Sequence, residues 1–224
     1  MAPGTDIKNT IFTATDFMRR AEALSLPLTH AADLLHDKIL RRGDHDLNPE
    51  FAQWPAPPEG LRPASVLVGV VDREPGATVI LTLRSAHLSS HAGQIAFPGG
   101  RMDDGDATLI NTALRETHEE IGLAPDRIKP LGLLDAYTTR TGFKIVPVLA
   151  AVSEDMVLEA DEREVQEVFE VPLEFLMDTA NHQLHSRVWQ GRERQFYAMP
   201  YGERYIWGAT AGILRIMYER LYAE

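Results

Sequence analysis

The stretch from Gly99 to Leu123, GGRMDDGDATLINTALRETHEEIGL, constrains this chain most, because a glycine-rich loop runs directly into a short helix with three glutamates on one side. A helix advances about 100° per residue, so Glu116, Glu119 and Glu120, at i, i+3 and i+4, project from neighbouring positions and can converge on one cation. Ile110, Ala113, Leu114 and Ile121 form a separate apolar stripe that can pack on a sheet while the carboxylates stay free. Asp106 is expected as the N-cap and Gly122 as the residue just past the C-terminus. Adjacent carboxylates on a helix repel by roughly a few tenths of a kcal/mol per pair, a cost that a divalent cation removes. Magnesium takes oxygen ligands and usually joins one or two carboxylates to substrate phosphate oxygens. The pattern therefore points to a magnesium site facing a phosphate. A solvated acidic helix face is the plain alternative, disfavoured by the glycine loop and the apolar stripe.

The segment closely resembles the Nudix box: Gly, five residues, Glu, seven residues, then Arg-Glu-apolar-x-Glu-Glu-x-Gly-apolar. Its second half reads Arg115, Glu116, Thr117, His118, Glu119, Glu120, Ile121, Gly122, Leu123. Counting from Gly100, Asp106 stands where the family has Glu, eight residues rather than seven then precede Arg115, and Thr117 replaces the usual aliphatic residue. The resemblance implies that Glu116, Glu119 and Glu120 are metal ligands for Mg2+ or Mn2+ and that Arg115 orients them by ion pairing. A simple i to i+4 pair between Arg115 and Glu119 is the structural alternative.

Upstream, ILTLRSAHLSSHAGQIAFPGG reads as a strand ending in an arginine, followed by a loop that closes on Pro98, Gly99 and Gly100. This resembles the motif before the box in the coenzyme A pyrophosphatase branch of the family, matched here by Arg84, Ser85, Gly93, Phe97, Pro98, Gly99 and Gly100, with Ser89 where a second arginine is frequent. Arg84 and a protonatable His91 could supply cations to a phosphorylated substrate, or Arg84 could end the strand in solvent. Gly99 and Gly100, lacking side chains, let backbone N–H groups approach phosphate oxygens. Near the C-terminus, IWGATAGIL resembles the terminal helix segment of the same branch. The aromatic cluster before it, Phe196, Tyr197, Tyr201, Tyr205 and Trp207, either faces an adenine or belongs to the core.

Thirty-three acidic against 22 basic residues give a formal charge of −11, which opposes nucleic acid and anionic membrane surfaces as partners, so a polyphosphate needs local metal or arginine. There is no cysteine, which excludes disulfides, thiol nucleophiles and cysteine-ligated zinc. No basic-then-apolar leader opens the chain and no apolar run approaches the roughly 20 residues that span a bilayer, so a cytoplasmic location is expected.

Two helical patterns, Thr15 to Ser25 and Thr29 to Arg42, precede a proline-rich connector, Trp54 to Pro63. Residues 1–60 are thus expected as an N-terminal helical extension with connector, and 61–224 as the hydrolase domain. Phe17, Ala21, Leu24, Leu34 and Leu35 need cover, by default from the main domain, and a homodimer contact is the other possibility. Ser65 to Val71 and Thr78 to Leu83 read as a hairpin, Ile128 to Tyr137, Phe143 to Val152 and Val165 to Val171 as further strands, the last entering a helix through Pro172. A final helix is expected from Trp207 to Tyr222. The order suggests an α/β fold with a mixed sheet between helices, and the resemblance implies the Nudix α/β/α sandwich.

The chemistry so implied is metal-assisted hydrolysis of a diphosphate linkage. Glu120, or Glu164 or Glu167 in the acidic segment EADEREVQEVFEVPL, is the candidate general base, with a charged loop before a strand as the alternative for that segment. The branch resemblance implies cleavage of coenzyme A or a derivative to 3′,5′-ADP and 4′-phosphopantetheine. Another nucleoside diphosphate derivative, such as ADP-ribose or NADH, is the rival substrate, because one scaffold carries variable pockets. A non-catalytic nucleotide-binding role ranks lowest, since all three box glutamates are present.

Overall fold

A computed structural model of the chain describes residues 12–36, 42–49, 60–88, 90–189 and 191–223. In chain order the elements are α1 (Ala14–Leu24), α2 (Ala31–His36), β1 (Arg42–Gly43), β2 (Arg62–Val71), β3 (Thr78–Arg84), β4 (Ile95–Ala96), β5 (Gly99–Arg101) and α3 (Leu109–Ile121). They continue with β6 (Ile128–Leu133), β7 (Tyr137–Thr138), β8 (Phe143–Val152), β9 (Val165–Pro172), α4 (Leu173–Met177), β10 (Gln183–Trp189), β11 (Arg192–Tyr201), β12 (Arg204–Trp207) and α5 (Ala209–Leu221).

The main sheet is mixed and is organised around β2. On one side β2 pairs in parallel with β8 along its whole length, from Arg62↔Phe143 to Val71↔Val152. On the other side it pairs with β3 only at Val70↔Val79 and Val71↔Thr78, and then with β5 at Ala64 to Val66. The expected hairpin is therefore split: its arms diverge after two pairs, and the segment Pro98–Arg101 fills the gap, with Leu67 N donating to Pro98 O at 2.8 Å. The glycine loop is held by the central strand as part of the sheet. β9 flanks β3, with Leu83 opposite Glu167, while β6 and β7 flank β8.

Alternation along β2 separates two cores. Leu67 and Val71 meet Ile121 and Leu123 at the end of α3, whereas Val68 and Val70 meet Phe17 and Ala21 of α1 and Leu214 and Met217 of α5. Helices thus cover both faces of the mixed sheet. Phe17 is fully buried, a contribution of about 1.5–3 kcal/mol for a ring of that size. The N-terminal extension is covered by the main domain: Phe17 and Ala21 are buried in the core with α5, Leu34 is buried in a separate cluster with Leu109, Ala113 and Leu133, and Leu24 remains exposed.

The expected single strand from Ile128 to Tyr137 is two strands, β6 ending at Leu133 and β7 starting at Tyr137; within β6 the register against β8 shifts between Pro130 and Gly132, where Ser25 and Leu26 crowd Gly132. The second N-terminal helix is shorter than its pattern: Leu28–His30 is a 3-10 turn, α2 ends the described stretch at His36, and Arg42 already belongs to β1. Residues 37–41, Ser89 and most of the proline-rich connector lie outside the described residues. The last helix starts at Ala209, since Trp207 still pairs as a strand with Ala198. The aromatic run before it forms β11 and β12, which with β10 make a second, three-stranded antiparallel sheet.

Candidate active site

Helix α3 starts two residues later than the sequence pattern suggests. Asp106 is not the N-cap: Thr108 is, with extended backbone angles and a hydroxyl that accepts from Asn111 N at 3.1 Å. The carboxylate of Asp106 is instead taken by the fork of Arg115, with Nε at 2.9 Å and Nη2 at 2.8 Å, and also accepts from Thr112 Oγ1 and Asp103 N, both at 3.0 Å. Bidentate guanidinium–carboxylate pairing is stronger than a neutral cap, which is why Thr108 is left to cap the helix. The Arg115 guanidinium holds the Asp106 carboxyl well below the usual carboxylate range. Gly122, at φ 68°, ends the helix in the left-handed conformation as expected.

Arg115 reaches two of the box glutamates as well. Its Nη1 lies 3.0 Å from Glu116 Oε1 and 2.9 Å from Glu119 Oε2. The i to i+4 pair is therefore present, but as one arm of a guanidinium gripped from the other side by Asp106. The apolar stripe on α3 is rotated from the sequence pattern: Leu109, Thr112, Ala113, Thr117, Glu120 and Ile121 are buried, and Ile110 and Leu114 pack at the margins. This rotation carries Glu120 into the interior, where it is 3% exposed.

Glu120 meets the glycine loop there. Its Oε2 accepts from Gly99 N at 3.0 Å, and its Oε1 faces Arg84 Nη1 at 3.4 Å. Burial pushes its carboxyl up to about 7, opposed by the Gly99 N–H and Arg84 and reinforced by the nearby charges of Glu116 and Glu164. Glu116 is raised too, again chiefly by burial. Gly99 sits at φ 143°, and a Cβ there would collide with Ser65 O and the Val66 backbone. A Cβ on Gly100 would occupy the space of the Glu116 carboxylate and push it aside, so the missing side chain leaves that carboxylate its place.

The structure thus brings together Arg84, Gly99, Gly100, Glu116 and Glu120, with Arg115 behind them. Glu119 stands on the rim, its side chain 57% exposed and turned to Arg115. The three glutamates do not close a cage: among the described residues no group of three or more His, Cys, Asp or Glu side chains gathers tightly enough to hold a metal ion. The buried Glu120 and the partly exposed Glu116, both with raised pKa values, are nonetheless a hard, oxygen-only donor set, and one or two such ligands suffice for an ion that also takes water and phosphate oxygens. Arg84 Nε is buried with no hydrogen-bond partner among the described residues. A buried guanidinium donor left unmatched beside two carboxylates suits an anionic group arriving with a cation.

Glu164 is drawn close by backbone bonds. Asp161 N donates to Glu120 O at 2.9 Å and Glu159 N to Ile121 O at 2.8 Å, so the acidic loop caps the free carbonyls at the end of α3. Ser85, itself buried, then donates its N–H to Glu164 O at 2.8 Å. Glu167 is engaged elsewhere, in an ion pair with Arg204, whose guanidinium also lies 4.2 Å from the centroid of Phe169. His91 is exposed in the turn before β4, with φ 57° and Nδ1 2.8 Å from Gln94 Oε1. Sequence reasoning missed the hold of Asp106 on Arg115 and the engagement of Glu167 by Arg204. The first was signalled by the carboxylate at the box position, whereas nothing local signalled the second, which joins residues 37 apart.

No helix among the described residues is long and apolar enough to cross a membrane. The NUDIX domain family model matches residues 61–190. The chain is 38% identical over 158 residues to an uncharacterized Nudix hydrolase NudL of Shigella flexneri serotype 5b (strain 8401), covering 70% of this chain and 82% of that protein. It is 39% identical over 155 residues to the protein of the same description from Enterobacter sp. (strain 638), covering 69% and 80% respectively. Among solved structures, the M. smegmatis Nudix hydrolase RenU aligns at 26% identity over 53% of this chain and 75% of its own, with a TM-score of 0.45. A carboxylate pair beside a glycine loop, an arginine-clamped box helix, the family-model match and the two relatives have one common account: the chain belongs to the Nudix family, hydrolases that act on phosphorus-containing acid anhydrides and generally use divalent metal ions.

Proposed function

We propose that this Nudix hydrolase cleaves the diphosphate of coenzyme A or a derivative, giving 3′,5′-ADP and 4′-phosphopantetheine or its derivative. The observation that carries the proposal is the meeting of Arg84, from the Arg-Ser pair, with Glu120 of the box and Gly99 of the Phe-Pro-Gly-Gly loop. The two sequence motifs that resemble the coenzyme A pyrophosphatase branch thus share one cluster. Residues 61–224 form the hydrolase domain in this proposal, and 1–60 the helical extension.

Glu116 and Glu120, with Glu119 at the rim, would hold Mg2+ or Mn2+. When bound, such an ion neutralises diphosphate oxygens and acidifies water. Arg115, fixed by Asp106, positions Glu116 and Glu119. Arg84 and the backbone N–H groups of the glycine loop bind phosphate oxygens and hold the linkage for in-line attack. Water attacks one phosphorus, the bridging P–O bond breaks, and a carboxylate takes the proton. Glu164 is the favoured base, since its charge acts on both Glu116 and Glu120 while Glu167 is occupied by Arg204. Ser85 and His91 contribute at the substrate side.

The test is to incubate purified protein with Mg2+ or Mn2+ and coenzyme A, NADH, ADP-ribose and diadenosine polyphosphates in turn, and to resolve the products. Release of 3′,5′-ADP from coenzyme A at the highest kcat/KM is the expected result. Preference for NADH or ADP-ribose would move the assignment to that substrate, and turnover of none would favour a binding role.

A further inference from the structure

The second sheet carries a face of opposite chemistry. Residues directly opposite across antiparallel strands share a side of the sheet. The pairs His185↔Phe196 and Arg187↔Arg194 therefore lie on one side, and Trp207, opposite Ala198, lies on it too. Met199 and Ile206 point the other way into the main core, so the first side faces outward. It contains a groove of about 480 Å³ floored by His185, Phe196, Tyr205 and Trp207 and bordered by Arg187. That volume lies within the roughly 300–1,000 Å³ range of small-molecule sites.

The rings are fixed by one another. Phe196 and Trp207 meet edge-on at 5.3 Å between centroids, and His185 has Nδ1 2.6 Å from the Tyr205 hydroxyl and Nε2 2.9 Å from Gln183 Oε1. Arginines gather beside them. Arg187 and Arg192 are exposed, Arg194 is opposite Arg187, and Arg140 feels the charges of both Arg194 and Arg192, with Asp44 as the carboxylate in the same neighbourhood. In a chain of formal charge −11 such a concentration of guanidinium groups marks where an anion is drawn. The groove is also tied to the catalytic loop. β12 packs beside β4, and Thr210, three residues after Trp207, donates its hydroxyl to Ile95 O at 2.9 Å, on the strand that leads into Gly99 and Gly100.

The geometry points to this groove as the subsite for the nucleotide end of the diphosphate substrate, with a nucleobase stacked on the aromatic floor and its phosphate held by Arg187 and Arg192. This rests on the assignment of a nucleoside diphosphate derivative as substrate. Stacking serves any base, whereas the arginines select for phosphate. The overall acidity of the chain disfavours a longer polynucleotide.

The probe is adenosine 3′,5′-bisphosphate, titrated calorimetrically into the metal-free full-length chain as wild type, as the double variant Arg187→Ala/Arg192→Ala, and as Glu120→Gln. Both arginines are exposed, so the double variant should fold. Kd is expected to rise about tenfold or more in the double variant and to stay unchanged in Glu120→Gln, with KM for coenzyme A rising in parallel while kcat holds. Arginine-independent binding, or tighter binding of an oligonucleotide than of the bisphosphate, overturns the inference. Arginine-dependent binding by a chain that hydrolyses no diphosphate would sink the catalytic proposal and keep the groove as a nucleotide site; hydrolysis with Kd and KM both insensitive to the arginines would do the reverse.

Discussion

The glycine loop with α3 and the three-stranded sheet handle charge in contrasting ways. In the first, Glu120 is drawn out of water and Glu116 partly so, beside two glycines whose missing side chains make the room; Glu120 meets the Gly99 N–H and Arg84, and Glu116 meets Arg115. In the second, Arg187 and Arg192 stay in water beside an aromatic floor. Buried charge demands exact backbone placement, while exposed charge asks only for a residue type at alternating positions. Substitutions in the loop and helix should therefore act on the chemical step and on stability, and those in the sheet on affinity.

The largest expected effect is at Glu120. Glu120→Gln should lower kcat by about 10²–10⁴-fold with the fold intact, the scale on which a positioned carboxylate contributes to catalysis. Steady-state kinetics beside a melting curve check this, and near-normal turnover would remove Glu120 from the catalytic set.

Stability of the metal-free protein offers the next contrast. The Glu120 carboxyl sits at about 7 in the folded chain against an ordinary 4.5, so between those values the folded state keeps a proton that the unfolded state has lost. Stability from this group is full below pH 4.5 and falls as pH rises towards 7, by about 3 kcal/mol in all. Urea midpoints measured in EDTA from pH 5 to 8 should show the decline, and saturating Mn2+ should flatten it. A flat profile in EDTA would mean that Glu120 is not desolvated as described. A Cβ at Gly100 should displace the Glu116 carboxylate, so Gly100→Ala should cost about 10²-fold in activity. Gly105→Ala nearby, where a Cβ meets nothing within 4 Å, should be neutral in the same assay. The smallest effect is at Thr117, whose buried hydroxyl has no hydrogen-bond partner among the described residues. Thr117→Val should stabilise the chain by about 1 kcal/mol in chemical denaturation without changing kcat, and a loss of stability would show that the hydroxyl is satisfied.

The same contrast explains what was legible in the sequence. The glycine loop, the box helix and the left-handed Gly122 could be read directly because each depends on residues close in sequence. Asp106 was misassigned as a cap because its partner, Arg115, lies nine residues on, across the first turns of the helix. The split of the β2–β3 hairpin could not be read from either strand, since it depends on Pro98–Arg101 inserting between them. β10 and β11 escaped notice because their outward positions mix Arg, His and Phe, so the period-two pattern that marks a half-buried strand is absent. The pairing of Glu167 with Arg204 is long-range and left no local trace.

The claim on which the account turns is that Glu120 and Glu116, the acid pair beside the glycine loop, take up a divalent ion. Mn2+ titration followed by electron paramagnetic resonance, on the wild type and on Glu116→Gln and Glu120→Gln chains, tests it most directly. Tight binding by the wild type, weakened about tenfold or more by either substitution, is the expected result. Equal Mn2+ affinity in all three chains would contradict it.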